Sequence, residues 1–270
     1  HIRGFYSKYK MLNLNVFSLK SSSAGNCVLY QFSDLIFLVD FGISVKYFEK
    51  CLKECEIDVN SVSYLFISHE HSDHASGLHA FSQKFPHIKI IATPGTKTAL
   101  IEKYKVAESQ FIEYDYLVDF KLNILNFSLI PTEHDALQPC GVFFWNQDSK
   151  FVHITDTGSL PSSTTSKIKG TNFFFVEANY DVNLLNNSKR PLSLKKRISS
   201  NYGHLSNQQA ACFVEGLRDF TKPAFWFISH ISQECNSVQA IESALVECIS
   251  DPSNFDFKIA EPKKITKVVI

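Results

Sequence analysis

Ser68-His69-Glu70-His71-Ser72-Asp73-His74 follows directly on the apolar run Tyr64-Leu65-Phe66-Ile67. The run reads as a buried strand, and a helical pattern begins near Ala75. Three imidazoles and a carboxylate thus occupy a strand-to-helix loop, where a rigid scaffold aims side chains at one point. Alternate residues of an extended segment share a side, so His69, His71 and Asp73 converge while His74 departs as the helix starts. Two imidazoles then serve one cation, and Asp73 with His74 a second beside it. Neutral imidazole and carboxylate suit zinc, manganese or iron and leave positions open for water. The competing reading, a polar loop with coincidental histidines, needs this spacing to arise by chance among ten histidines.

The remainder of the chain is sized for such a scaffold. Its 270 residues, 44% hydrophobic, can bury a substantial core. No apolar run approaches the length of about 20 residues that a membrane span needs, and no secretory signal is present. Met11 is the expected native start, with residues 1–10 an expression-derived or upstream extension and residues 11–270 a single domain. A formal charge of zero excludes a chain that is basic all over, so any anionic substrate must be drawn by a local patch. The seven cysteines lack paired spacing, which argues against a disulfide framework. Phe48, Cys51, Leu52 and Cys55 share one helical face, as do Val238, Ile241, Leu245 and Cys248, so these cysteines read as core and the protein as reduced and cytoplasmic.

Strands are expected over residues 12–19, 27–32, 35–39, 88–92, 141–145, 150–154, 173–176 and 224–228, with meandering strands over 111–130. Helices are expected from Ser44, from Gly77, after the Thr93-Pro94 cap and after Ser206, where Ser206 and Gln209 form a capping box ahead of Ala210, Phe213, Val214 and Leu217. Strands alternating with helices imply an α/β protein. The Ser21–Asn26 turn reads either as a plain hairpin turn or as a phosphate-binding loop using Ser23 and Asn26. Asp40 reads as a turn residue or as a brace for the histidine loop. The basic run Lys189 to Arg197 is either a solvated face or a phosphate track leading to His204 at a helix entrance.

A β-like run that stops at a ligand-type residue recurs at His134, Asp156 and His230. With the His69–His74 loop these resemble the metallo-β-lactamase superfamily, over essentially Met11 to Cys248. The Gly203-His204-Leu205-Ser206-Asn207 and His230-Ile231-Ser232-Gln233-Glu234-Cys235-Asn236 segments resemble more narrowly its YycJ (WalJ) type exonucleases. Three positions depart from that pattern: Tyr180 stands where His is general, Ser229 where Gly is, and Cys235 where Asn is usual.

The resemblance implies a four-layer αββα sandwich, two central mixed sheets flanked by helices. It implies two divalent cations, Zn2+ or Mn2+, one held by His69, His71 and His134 and the other by Asp73, His74 and His230, with Asp156 bridging. Such cations sit about 3.5–4 Å apart and share a water ionised near neutral pH. Asp73 and Asp156 would orient that nucleophile, and His204 would bind the scissile phosphate or protonate the leaving oxygen. Ser23, Asn26, Asn179, Lys195, Lys196 and Arg197 are the expected substrate contacts. The activity implied is 5′ to 3′ exonuclease action on single-stranded DNA or DNA 5′ ends. The alternative is a hydrolase of a small phosphodiester, thioester or lactone, and a third class is a redox or non-catalytic metal module. His71, where diiron relatives generally carry Glu, favours hydrolysis. The roughly 70 residues between Asp156 and His230 are too few for an inserted domain of ordinary size, which disfavours the RNA-processing β-CASP branch.

Overall fold

The computed structural model describes residues 14–270, so the expected extension over residues 1–10 and the start at Met11 lie outside the described residues. In chain order the strands and helices are β1 (Leu14–Ser22), β2 (Gly25–Phe32), β3 (Leu35–Val39), α1 (Val45–Glu54), β4 (Val62–Phe66), α2 (Ser72–Ala75), α3 (Leu78–Lys84) and β5 (Lys89–Ala92). Then come α4 (Pro94–Tyr104), β6 (Phe111–Glu113), β7 (Phe120–Leu122), β8 (Leu125–Pro131), β9 (Cys140–Trp145), β10 (Lys150–Ile154), α5 (Ser162–Lys167) and β11 (Phe173–Glu177). The chain continues with α6 (Val182–Asn187), α7 (Leu192–Ile198), α8 (Asn207–Leu217), β12 (Ala224–Ser229), α9 (Val238–Cys248), β13 (Phe255–Ile259) and β14 (Thr266–Val269).

These elements form two compact units, the first made of residues up to Val118 with Ala136–Cys140 and Ala260–Ile270, the second of Asp119–Asp135 and Gly141–Ile259. The first unit carries a mixed sheet in the order β14-β1-β2-β3-β4-β5-β6, antiparallel from β14 to β3 and parallel from β3 to β6. Parallel neighbours need crossovers, supplied here by α1, by α2 with α3, and by α4. Phe41, Phe48, Phe81 and Phe85 pack together beneath α1 and α3, with ring centroids 4.3–6.1 Å apart.

The second unit carries the sheet β13-β12-β11-β10-β9-β8-β7, parallel from β10 to β13. β11 and β12 are buried along their whole length, which is why Phe173-Phe174-Phe175-Val176 and Ala224-Phe225-Trp226-Phe227-Ile228 are continuous apolar runs rather than alternating ones. Both sheets therefore end their parallel halves at the residues that matter. Asp40 follows β3 and the histidine loop follows β4; Asp156 follows β10, Glu177 ends β11 and His230 follows β12. Chemistry at the carboxyl ends of parallel strands is the general rule for such sheets.

Several expectations need correction. Residues 111–130 are not one meander: β6 closes the first sheet, whereas β7 and β8 form a hairpin in the second. Cys55 is only half-buried, at the C-cap of α1, and Val238 is 49% exposed at the start of α9, so neither extends its helix's buried face. On α8 the buried positions are Asn207, Ala210, Ala211, Val214 and Leu217, with Phe213 only partly covered. Cys248 is paired with Cys212, joining α9 to α8, while Cys27, Cys51, Cys55, Cys140 and Cys235 are free thiols. The basic run is largely the helix α7, whose last turn places Lys195, Lys196 and Arg197 beside outward-facing carbonyls, a favourable end for cations. The Thr93 cap and the Ser206–Gln209 capping box are present as expected.

Candidate metal centre

In the first unit the histidine loop is built around Asp40. This residue has φ +61°, a left-handed conformation that turns its carboxylate out of the β3 line. Its Oδ1 accepts from the Ser68 N–H (2.8 Å) and its Oδ2 from His74 Nδ1 (2.7 Å). Ser68 Oγ lies 2.9 Å from both carboxylate oxygens and 2.9 Å from His69 Nδ1. The hydroxyl has one proton, which goes to the carboxylate, so His69 Nδ1–H must donate to Ser68 Oγ. One buried aspartate thereby fixes the tautomers of His69 and His74, with Nε2 of each as the lone-pair nitrogen, the usual arrangement behind metal-binding imidazoles. The rings of His71 and His74 lie 4.6 Å and 4.2 Å from that of His69.

Asn26, expected at a phosphate, is turned toward this loop. Its Nδ2 donates to the Asp73 carbonyl (3.3 Å) and to His74 Nε2 (3.0 Å), while its Oδ1 accepts from Ser22 N–H. Ser23 is exposed at the tip of the β1–β2 hairpin. Gly42 explains how the loop approaches so closely, since a Cβ there would lie 1.7 Å from the Asp73 carbonyl oxygen.

In the second unit, strand register sets the level of the groups. Ile154 pairs with Val176 and Val176 with Ile228, so Asp156 and His230, each two residues on, stand level on either side of β11. Extended strands would hold their backbones two strand spacings apart, about 9.6 Å. Both residues instead adopt left-handed conformations (φ +53° and +49°), and His230 Nδ1 lies 3.4 Å from Asp156 Oδ1. Non-glycine residues rarely sit there, and such positions cluster at functional sites.

Glu177, fully buried at the end of β11, joins the group. Its Oε1 accepts from the Thr157 N–H (2.8 Å), and its Oε2 accepts from His204 Nδ1 (2.9 Å) and lies 3.4 Å from His230 Nδ1. Asn179 braces His230 by donating to its carbonyl oxygen (2.8 Å). His134 Nδ1 donates to the Gly203 carbonyl (3.2 Å), which leaves its Nε2 as the lone-pair nitrogen. Burial pulls the His134 pKa below its ordinary value despite nearby Asp156. For His204 burial also acts downward, but Glu177, by charge and hydrogen bond, together with Asp156 more than offsets it, and the pKa is raised. Glu177 is correspondingly lowered: burial would raise it, and His204, by charge and hydrogen bond, together with a hydrogen bond from His230 outweighs that.

Asp156, Glu177, His204 and His230 each offer a ligand atom within 4.8 Å of the others. Asp156 and His230 can donate to a divalent cation, while Glu177 and His204 hold each other by charge and hydrogen bond. Sequence reasoning gave Glu177 no functional role, although it opens the Glu177–Asp181 segment that is part of the family resemblance and puts a charge at the end of an otherwise apolar strand. The basic residues are placed differently from a free phosphate track. Lys195 Nζ donates to the Asn186 carbonyl (2.7 Å), and Arg197 pairs with Asp135 (2.7 Å), while Lys196 is exposed on α7.

Residues 37–231 match the β-lactamase superfamily domain, and the chain belongs to that superfamily. It is a metal-dependent hydrolase of the metallo-β-lactamase fold. It is 30% identical to exodeoxyribonuclease YycJ of Bacillus anthracis over 269 residues, covering 95% of this chain and 99% of that protein. It is 29% identical to exodeoxyribonuclease WalJ of Streptococcus pneumoniae over 248 residues, 89% of this chain and 91% of the relative. The crystal structure of the metallo-β-lactamase fold protein YhfI from Bacillus subtilis superposes with a TM-score of 0.69 at 14% identity, over 94% of this chain and 99% of that one, a likeness of fold. Two mixed sheets of seven strands with helices match the α/β sandwich that the resemblance implied.

Proposed function

We propose that this chain is a DNA exonuclease, acting 5′ to 3′ on single strands or 5′ ends. The observation that carries the reading is the pair of buried Glu177 and partly buried His204, with Asp156 Oδ1 3.3 Å from the same His204 nitrogen, in a chain so similar to named exodeoxyribonucleases. His69, His71 and His134 would hold one cation and Asp73, His74 and His230 the other, with Asp156 serving both, and residues 11–270 would act as one domain. Bound Zn2+ or Mn2+ supplies a water ionised near neutral pH and neutralises charge growing on the phosphate.

The chain's own residues do the rest. Asp40 and Ser68 hold the His69 and His74 rings so that no reorganisation is needed when ligand lone pairs are called on. Glu177 raises the His204 pKa and so favours its imidazolium, the form that can bind the scissile phosphate and give a proton to the departing sugar oxygen. Asp73 and Asp156 orient the attacking water. Arg197, through Asp135, steadies the segment bearing His134. Asn26 and Asn179 act as positioning residues before they act as phosphate contacts.

Among the described residues no helix is long and apolar enough to cross a membrane. A cytoplasmic location is part of the same proposal; the five free thiols support it, and the Cys212–Cys248 link would then be reversible. The test is cation-dependent release of nucleotides from single-stranded DNA, which Asp156→Ala should abolish. Undiminished cutting by that variant, or turnover of a small phosphodiester with no action on any oligonucleotide, would refute the assignment.

A further inference from the structure

Tyr202 has no part in the chemistry above, yet its phenol is 57% exposed two residues before His204. The backbone beneath it is held on several sides. Its own N–H donates to Ser200 Oγ (3.3 Å), Gly203 N–H to the Ser200 carbonyl (2.9 Å), His204 N–H to the Ile198 carbonyl (2.9 Å), and Ser200 Oγ to the Arg197 carbonyl (2.8 Å). The contacts are backbone against backbone: a Cβ on Gly203 would come within 2.2 Å of the Arg197 and Ile198 carbonyl oxygens, and one on Gly158 within 2.1 Å of that of Ser200. The loop is therefore wedged between the last turn of α7 and the segment that follows Asp156.

An aromatic ring left in water on so fixed a base adds little to folding, because it buries little apolar area. It is instead pre-organised to receive a flat partner, since the loop beneath it is already ordered. Two residues span at most about 7 Å of backbone, so Tyr202 is anchored within one base spacing or two of His204. Lys196, exposed on α7, adds a positive charge to the adjoining segment, while Lys195 donates to the Asn186 carbonyl and Arg197 pairs with Asp135. Aromatic face, nearby cation and general acid in sequence fit a strand of nucleotides whose bases are unpaired.

We propose that Tyr202 is the stacking platform for the nucleobase beside the scissile phosphate, which makes the preferred substrate a single strand rather than an intact duplex. The inference rests on the nuclease reading and names what that site grips. Stacking of one base on one aromatic ring is tolerant of sequence and changes affinity on the order of 10- to 100-fold.

The test compares a short fluorescent oligodeoxynucleotide with a fully abasic strand of the same length. Both are titrated, in chelator to prevent cleavage, into the wild-type chain, Tyr202→Phe and Tyr202→Ala. The wild type and Tyr202→Phe should bind the base-bearing strand about 10- to 100-fold more tightly than the abasic one, and Tyr202→Ala should lose most of that preference. An unchanged preference in Tyr202→Ala overturns the platform. Cleavage of the same strand by the wild type after adding Mn2+ keeps the two ideas apart: cutting with no Tyr202 effect removes the platform alone, whereas neither binding nor cutting removes the nuclease reading as well.

Discussion

Replacing Glu177 by Gln isolates the proton-handling half of the site. The carboxylate is fully buried, and its Oε2 lies 2.9 Å from His204 Nδ1 while its Oε1 receives the Thr157 N–H at 2.8 Å. An amide oxygen still satisfies Thr157, which needs only an acceptor; it cannot hold an imidazolium with a full negative charge. Burial alone pulls the His204 pKa down, and Glu177 is the largest influence pulling it up. A hydrogen bond to a charged group has a net worth of about 1.5–3 kcal/mol. At about 1.4 kcal/mol per decade, its loss shifts the balance toward neutral His204 by about 10- to 100-fold. Nucleotide release near neutral pH should fall by a similar factor, and acidification should recover part of the loss.

The sign of the linkage follows from the two directions. The raised His204 pKa gives stability that is complete below its ordinary value of 6.5 and lost as pH rises through the folded value. The lowered Glu177 pKa gives stability that is present above its ordinary 4.5 and lost as pH falls through the folded value. The stability difference between wild type and Glu177→Gln should therefore be greatest between the two. The assay is a pH–rate profile of oligonucleotide cleavage for both proteins, with NMR titration of the His204 ring in chelator-treated samples. Superimposable His204 titrations, or an activity loss independent of pH, would refute the reasoning.

Asp40→Asn removes an acceptor shared by Ser68 and His74, and an amide can satisfy only part of that set; metal affinity by calorimetry should fall about 10- to 100-fold, and an unchanged affinity would remove the tautomer argument. Gly42→Ala puts a methyl group 1.7 Å from the Asp73 carbonyl oxygen, so urea unfolding should show a loss of about 2–3 kcal/mol, with weaker metal binding alongside. Away from the site, burial would raise the pKa of Glu215, but hydrogen bonds from Ser250 and Arg218 lower it below its ordinary 4.5. Its contribution is present above that value and lost as pH falls, so Glu215→Gln should flatten the acid side of the stability curve measured by urea titration between pH 3 and 6.

The histidine loop was legible because its information is local: strand, alternating ligands and helix start lie within a dozen residues. The strand-end residues Asp156 and His230 could be picked out one by one, yet their meeting depends on parallel register and on left-handed backbone at each, which no periodicity reveals. Glu177 was hidden because its partner His204 arrives after two intervening helices, α6 and α7, whose short amphipathic turns carry weak patterns. β13 and β14 escaped notice as strands of five and four residues near the end of the chain. Tyr180 and Cys235, two of the positions expected to depart from the resemblance, pack in one small apolar cluster with Leu185 and Ile198, a contact between residues far apart in the chain that no local pattern reveals.

Anomalous diffraction from crystals soaked in Mn2+ or Zn2+ tests the central claim most directly. The account predicts two cations per chain, one bound by His69, His71 and His134, the other by Asp73, His74 and His230, with Asp156 contacting both. Cations bound elsewhere, or a single cation that leaves either ligand set unused, would contradict it.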